Sequence, residues 1–225
     1  MLQLFEANGL IFWEEKEINL RNSFEQIIKT ELLESLLKQN SAFKMIKIEA
    51  PIITPGIYIN KNYTVDDVYT IGGFGLRPET TIGSYLYVEH LLNSHNDIKY
   101  KLPLIVYQHG KSFRREQDQV VKNMRLKEFY QLEFQIVYSE TTQNDYSKLV
   151  IPAICDCIEK LIGKCYTTDS ERIPSYADWT KDIVFEKNEM EVCSISQRHD
   201  LENYKVLEVA IGTDRLLYNY NQKEA

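Results

Sequence analysis

Two strand-like segments, Leu104 to Arg115 and Arg125 to Tyr138, flank the polar stretch Gln117 to Met124. So short a connection makes them an antiparallel hairpin. In the second segment Tyr130, Leu132, Phe134, Ile136 and Tyr138 form an apolar face by simple alternation. The opposite face reads Phe129, Gln131, Glu133, Gln135 and Val137, an aromatic at the head of a polar row. A long hairpin with one apolar face belongs to a sheet covered by other elements.

The rest of the chain supplies them. Asn19 to Gln39 reads as an amphipathic helix, with Leu20, Phe24, Ile27, Ile28, Leu32 and Leu36 at helical spacing. Phe43 to Ile48 is strand-like, and Pro51 and Pro55 after it suit an edge strand or a turn. Gly72, Gly73 and Gly75 mark a tight connection before a helix from Thr80 to His95. A further helix spans Asn144 to Lys164, where Pro152 is expected to kink or divide it. Ile183 to Phe185, Met190 to Ile195 and Val206 to Ile211 are strand candidates, and Gly212 to Tyr220 closes as a short helix. Hairpins rather than regular βαβ units predict an α+β fold, a mostly antiparallel sheet flanked by helices, in one domain over residues 1–225.

Composition narrows the function classes. With 225 residues, 44% hydrophobic and 26% charged, the chain is ordinary globular protein with room for a sizeable core. A net charge of −7 argues against a protein that coats nucleic acid electrostatically. Only Arg114, Arg115, Lys122, Arg125 and Lys127 form a local basic track. No apolar run approaches the roughly 20 residues that span a bilayer, and Met1 to Leu10 lacks signal-peptide features. Cys155, Cys157, Cys165 and Cys193 show neither disulfide nor zinc spacing, so free thiols and a cytoplasmic location are expected. The four histidines lack metal-ligand spacing.

The chemistry gathers around the hairpin. Phe113-Arg114-Arg115-Glu116 and Arg125-Leu126-Lys127-Glu128-Phe129 offer arginines for phosphates, an acid for a base edge and an aromatic for stacking. Gly212-Thr213-Asp214-Arg215 puts another arginine at a helix start, where the helix dipole also favours an anion. Together these describe an ATP site without a Gly-rich loop. The simpler readings are a solvated sheet face with cross-strand ion pairs, and a surface Asp214–Arg215 pair.

The full pattern resembles motifs 2 and 3 of the class II aminoacyl-tRNA synthetases, nearest the glycyl type of the glycyl/seryl/threonyl/prolyl group. The resemblance runs from about Leu20 to Tyr220. It implies Arg114 on the α-phosphate, Glu116 at the adenine amino edge or acceptor end, Arg125 near the triphosphate and Phe129 under adenine. It also implies Arg215 on the distal phosphates or against adenine, with Arg114 and Arg215 as the catalytic pair. Leu76-Arg77-Pro78-Glu79-Thr80 is similar to the segment whose acid meets the substrate ammonium, which makes Glu79 an amino-acid ligand. Glu191 and Glu208 would take magnesium or the amino acid, and Arg198 the substrate carboxylate. Pro51 after the Phe43–Ile48 stretch resembles motif 1, which implies a homodimer.

The departures are specific. The motif 2 loop lacks the usual Arg and Gly, Ala210 stands where glycyl enzymes carry Ser, and Thr81-Ile82 replaces Ala-Gln. The chain ends soon after motif 3, so no anticodon-binding domain is expected. The expected activity is ATP- and Mg2+-dependent amino-acid activation, with transfer to a tRNA acceptor end or to a non-tRNA carrier protein. A non-catalytic accessory subunit and a ligase for a different small acid are the alternatives. The retained Arg114, Glu116, Phe129 and Arg215 favour catalysis over the first, and Glu79 and Glu208 favour an amino acid over the second.

Overall fold

The computed structural model describes residues 2–59, 63–64, 66–94, 102–115 and 124–224. The helices are α1 (Leu2–Ala7), α2 (Glu15–Gln39), α3 (Gly56–Ile59), α4 (Thr81–Asn93), α5 (Ser147–Ile162) and α6 (Thr213–Glu224). The first strands are β1 (Lys44–Lys47), β2 (Ile53–Pro55), β3 (Thr70–Ile71), β4 (Phe74–Leu76) and β5 (Leu104–Phe113). They are followed by β6 (Glu128–Ser139), β7 (Cys165–Asp169), β8 (Ala177–Phe185), β9 (Met190–Arg198) and β10 (Tyr204–Gly212). Seven strands form one sheet in the order β1-β5-β6-β10-β9-β8-β7. Its pairings are antiparallel except β1 with β5. The α+β reading holds.

Alternation gives the sheet two different faces. Tyr107, Leu132, Phe134, Ile136, Leu207, Val209 and Ile211 point to one side, where α2, α5 and α6 cover them with Phe24, Ile28, Ile154, Ile158 and Leu217. The other face is apolar only at one end. There Leu104, Val106, Val137 and Val206 lie under Val88 and Leu91 of α4. Beyond α4 that face turns polar. An amphipathic sheet face half covered by a helix leaves an open trough, and this trough positions the site.

Arg77 holds its rim. Arg77 is buried and spends its guanidinium on the structure, donating from Nε to the Lys111 carbonyl at 2.7 Å and from Nη1 to the Ala50 carbonyl at 2.7 Å. It lies across Gly110, where a Cβ would come within 2.4 Å of Nη2. Glycine there lets Arg77 tie the segment before α4 to β5 and so sets Pro78 and Glu79 over the trough. The turn between β3 and β4 uses Gly72 at a φ of +60°, a left-handed conformation that glycine adopts without penalty.

Pro152 does not divide α5, which runs unbroken from Ser147 to Ile162. The proline sits early in the helix on its exposed side, so the carbonyl that loses its partner faces water. In the small sheet, β2 falls where the prolines suggested an edge strand or a turn, while β3 and β4 are too short to carry a usable period.

Candidate functional site

A cleft of about 630 Å3 occupies the polar half of the sheet face. Arg114, Arg125 and Phe129 of the hairpin line it, with Arg215 at the first turn of α6. Glu79, Glu191 and Glu208 line it as well. Glu116 and residues 117–123 of the connecting loop lie outside the described residues.

One end of the cleft is cationic. Arg215 donates from Nη1 to the Glu191 carbonyl at 2.7 Å, and its guanidinium stands 3.6 Å from the Glu191 carboxylate. Arg114 donates from Nε to the Pro78 carbonyl at 3.1 Å, and its guanidinium carbon is 5.4 Å from the Phe129 ring centre. Arg125 is exposed and carries no ion pair among the described residues. Burial lowers the pKa of Arg215; Glu191 opposes that, and the like charges of Arg114 and Arg125 add to it. Cations that feel one another's charge beside an aromatic ring are an arrangement able to hold a polyanion that carries a flat group.

The other end is built from carboxylates held by hydroxyls. Tyr63 donates its hydroxyl to Glu79 at 2.6 Å, and Tyr176 donates to Glu208 at 3.2 Å. Burial pushes both phenols up, so each remains a donor at neutral pH. Burial also raises Glu79, while Arg114 at 3.9 Å opposes the shift. Glu208 accepts further bonds from Gln135 Nε2 at 2.9 Å and Arg198 Nη1 at 2.7 Å. Tyr63 and Tyr176 stand in stretches without periodicity, and no sequence signal marked them.

Arg198 stands behind the wall of the cleft instead of on it. Its guanidinium lies between the rings of Tyr85 and Tyr176, 3.8 Å from each centre, and it pairs with both oxygens of Asp200 as well as with Glu208. A guanidinium so committed holds Glu208 in place and does not face the cleft.

Glu133, expected in a polar row, is wholly buried beneath the start of α4. It accepts from Thr80 Oγ1 at 2.7 Å, Ser84 Oγ at 2.6 Å and Gln135 Nε2 at 2.6 Å. Burial first, then the nearby Glu208 charge, push its pKa above the ordinary 4.5. A carboxyl raised in the folded state contributes fully below that ordinary value, and its contribution is lost as pH climbs toward the raised one. Stability should therefore fall as pH rises from about 4.5 toward neutrality, and Glu133→Gln should flatten that fall. Urea unfolding at stepped pH checks this. An identical slope in both proteins removes Glu133 as its source.

The sheet order, with helices on one face and an open trough on the other, is a mixed α+β architecture that solved structures share. Among solved structures the chain is similar to the pyrrolysyl-tRNA synthetase of Desulfitobacterium hafniense. That match has a TM-score of 0.61 and 15% identity, over 88% of this chain and 70% of the other. A second structure, PylSc, a pyrrolysyl tRNA synthetase of the same organism, gives a TM-score of 0.61 and 17% identity over 87% and 68%. At these identities the likeness concerns the fold. No protein-family model matches the chain, and no curated protein matches it.

Proposed function

We propose that this chain activates an amino acid with ATP and Mg2+, forming an aminoacyl-adenylate that is passed to a tRNA acceptor end or to a non-tRNA carrier protein. One observation carries the reading. A single cleft holds convergent arginines beside Phe129 at one end and the hydroxyl-held Glu79 and Glu208 at the other. The first end suits a nucleoside triphosphate and the second an ammonium group. A substrate carboxylate oxygen attacks the α-phosphorus, and the bond to pyrophosphate breaks. No protein nucleophile is needed, because the difficulty lies in bringing anions together, and Arg114 and Arg215 relieve it. By its motifs the chain resembles the glycyl type within class II.

Among the described residues no group of three acidic, His or Cys side chains could hold a metal by itself. That fits Mg2+, which is commonly held by one or two carboxylates together with substrate phosphates. Glu191 is the better-placed protein ligand, half exposed beside Arg215. Glu208 already accepts from Arg198, Gln135 and Tyr176, which suits an ammonium partner better than a metal. Bound Mg2+ supplies charge neutralisation along the phosphate chain.

Pyrophosphate exchange, run with each of the common amino acids, tests the activity. Exchange with one of them establishes activation and names the substrate; silence with all favours the accessory-subunit reading. Charging of an acceptor-stem minihelix against intact tRNA then separates acceptors. The net charge of −7 and the small basic track predict dependence on the terminal stem.

Phe129→Ala should weaken ATP binding by about 1–3 kcal/mol, the range for loss of base–aromatic stacking, with amino-acid binding little changed. Phe129→Tyr should be nearly silent. Unchanged ATP affinity in Phe129→Ala, by calorimetric titration, leaves Phe129 a strand residue at the sheet margin.

The reading includes a homodimer. Ile52, Ile53, Ile57, Tyr58, Ile71 and Phe74 are all exposed around the small sheet, Ile57 by 73% and Ile71 by 66%. So much adjacent apolar surface favours burial against a second copy in a symmetric interface. Light scattering should return twice the 26.5 kDa chain mass. A mass of one chain in an active preparation overturns it.

A further inference from the structure

Strand β10 pairs with β6 as far as Gly212 opposite Gln131, and the chain then turns into α6. The pairing continues one step further through side chains. Thr213 Oγ1 donates to the Tyr130 carbonyl at 3.2 Å, and Asp214 Oδ2 accepts from the Tyr130 N–H at 2.9 Å. Both polar groups of one residue on β6 are therefore held by the two residues that precede Arg215. Tyr130 immediately follows Phe129. The grip fixes how far the aromatic platform stands from the arginine at the start of α6.

Thr213 and Asp214 are themselves held from α2. Arg21 Nη1 donates to Asp214 Oδ1 at 3.2 Å, and its guanidinium lies 3.6 Å over the Tyr130 ring. One turn on, Glu25 pairs with His109 Nδ1 at 3.0 Å, and His109 Nε2 lies 3.1 Å from Thr213 Oγ1. Lys47 also pairs with Glu25. Arg21, Glu25, Thr213 and Asp214 are each at most 5% exposed. A buried and unpaired charge is costly, so each member of this network fixes the next.

We propose that Arg21 and Glu25 are positioning residues for nucleotide binding: acting through Asp214 and, by way of His109, Thr213, they set the spacing between Phe129 and Arg215. The proposal rests on the reading of the cleft as an ATP site. ATP spans both groups and depends on their spacing. Adenosine uses the platform alone and does not. This separates a positioning role from general damage to the fold.

The experiment compares equilibrium binding of ATP and of adenosine by the wild type, Arg21→Met and Arg21→Lys, with circular dichroism to confirm folding. Charge-assisted contacts between Arg and phosphate depend on their geometry, so Arg21→Met is expected to weaken ATP by at least about tenfold. Adenosine should change less than about twofold, and Arg21→Lys should recover part of the loss for ATP. Equal loss for both ligands, or no loss for either in a folded variant, overturns the proposal. Where Arg21→Met does not fold, Thr213→Val against Thr213→Ser decides by the same two outcomes, since valine keeps the volume and removes only the hydroxyl. A wild type that binds neither ligand removes the ATP-site reading itself. A wild type that binds both, with variants that bind ATP as well as it does, removes only the positioning role.

Discussion

Arg215→Ala should lower adenylate formation by about 10²–10³-fold, the usual loss when one preorganised charge is taken from a transition state. Arg114→Ala should do the same. The two side chains approach the cleft from different places, just past the end of β5 and the first turn of α6, and the charge of each is felt by the other. In the proposed reaction they serve one phosphate chain, so the double variant should be little worse than either single one. Removing Arg215 relieves repulsion on its neighbours and should cost little stability, whereas removing Arg114 also takes away the cation beside the buried Glu79 and should cost more. Pyrophosphate exchange for the rate and urea unfolding for the fold give the two readouts together. Wild-type exchange in both single variants would sink the assignment.

That Arg114, Phe129 and Arg215 lie on one cleft agrees with their places in the sequence, because strand parity and a helix start are local properties. Alternation placed Phe129 at the head of a polar face, and Gly212 announced the end of β10. The same parity put Glu133 and Gln135 on that face, but parity does not say what covers it. Helix α4 arrives from Thr81–Asn93 and buries both, so a row that resembled solvated sheet is a closed polar core. Arg198 poses the same difficulty. Its position in the strand before motif 3 suggested a substrate ligand, while the two tyrosines that enclose it come from α4 and from a loop without a pattern. Asp200, two residues on, is a local partner, but the two tyrosines that fix where the guanidinium lies are distant in sequence. The network from Arg21 to Asp214 spans 193 positions and was invisible for the same reason.

Arg198→Ala should cost about 3–5 kcal/mol of stability, because it strands buried charge that the guanidinium now neutralises. The Arg198 side chain is 4% exposed and the Glu208 side chain 6%, so water reaching Glu208 from the cleft can replace little of the lost pairing. Asp200, at 30%, can rehydrate, which places most of the penalty on Glu208. Arg198→Lys should recover only part of it. One ammonium cannot span both oxygens of Asp200, reach Glu208 and stack as a plane between Tyr85 and Tyr176. A second substitution sharpens the test. Glu208→Gln in the Arg198→Ala background removes the stranded charge and should restore stability, even though it removes a further group from the site. Urea midpoints of the single and double variants decide this. If Glu208→Gln brings no recovery, Arg198 supports the fold through its two tyrosines and Asp200, and Glu208 does not depend on it for its place in the cleft.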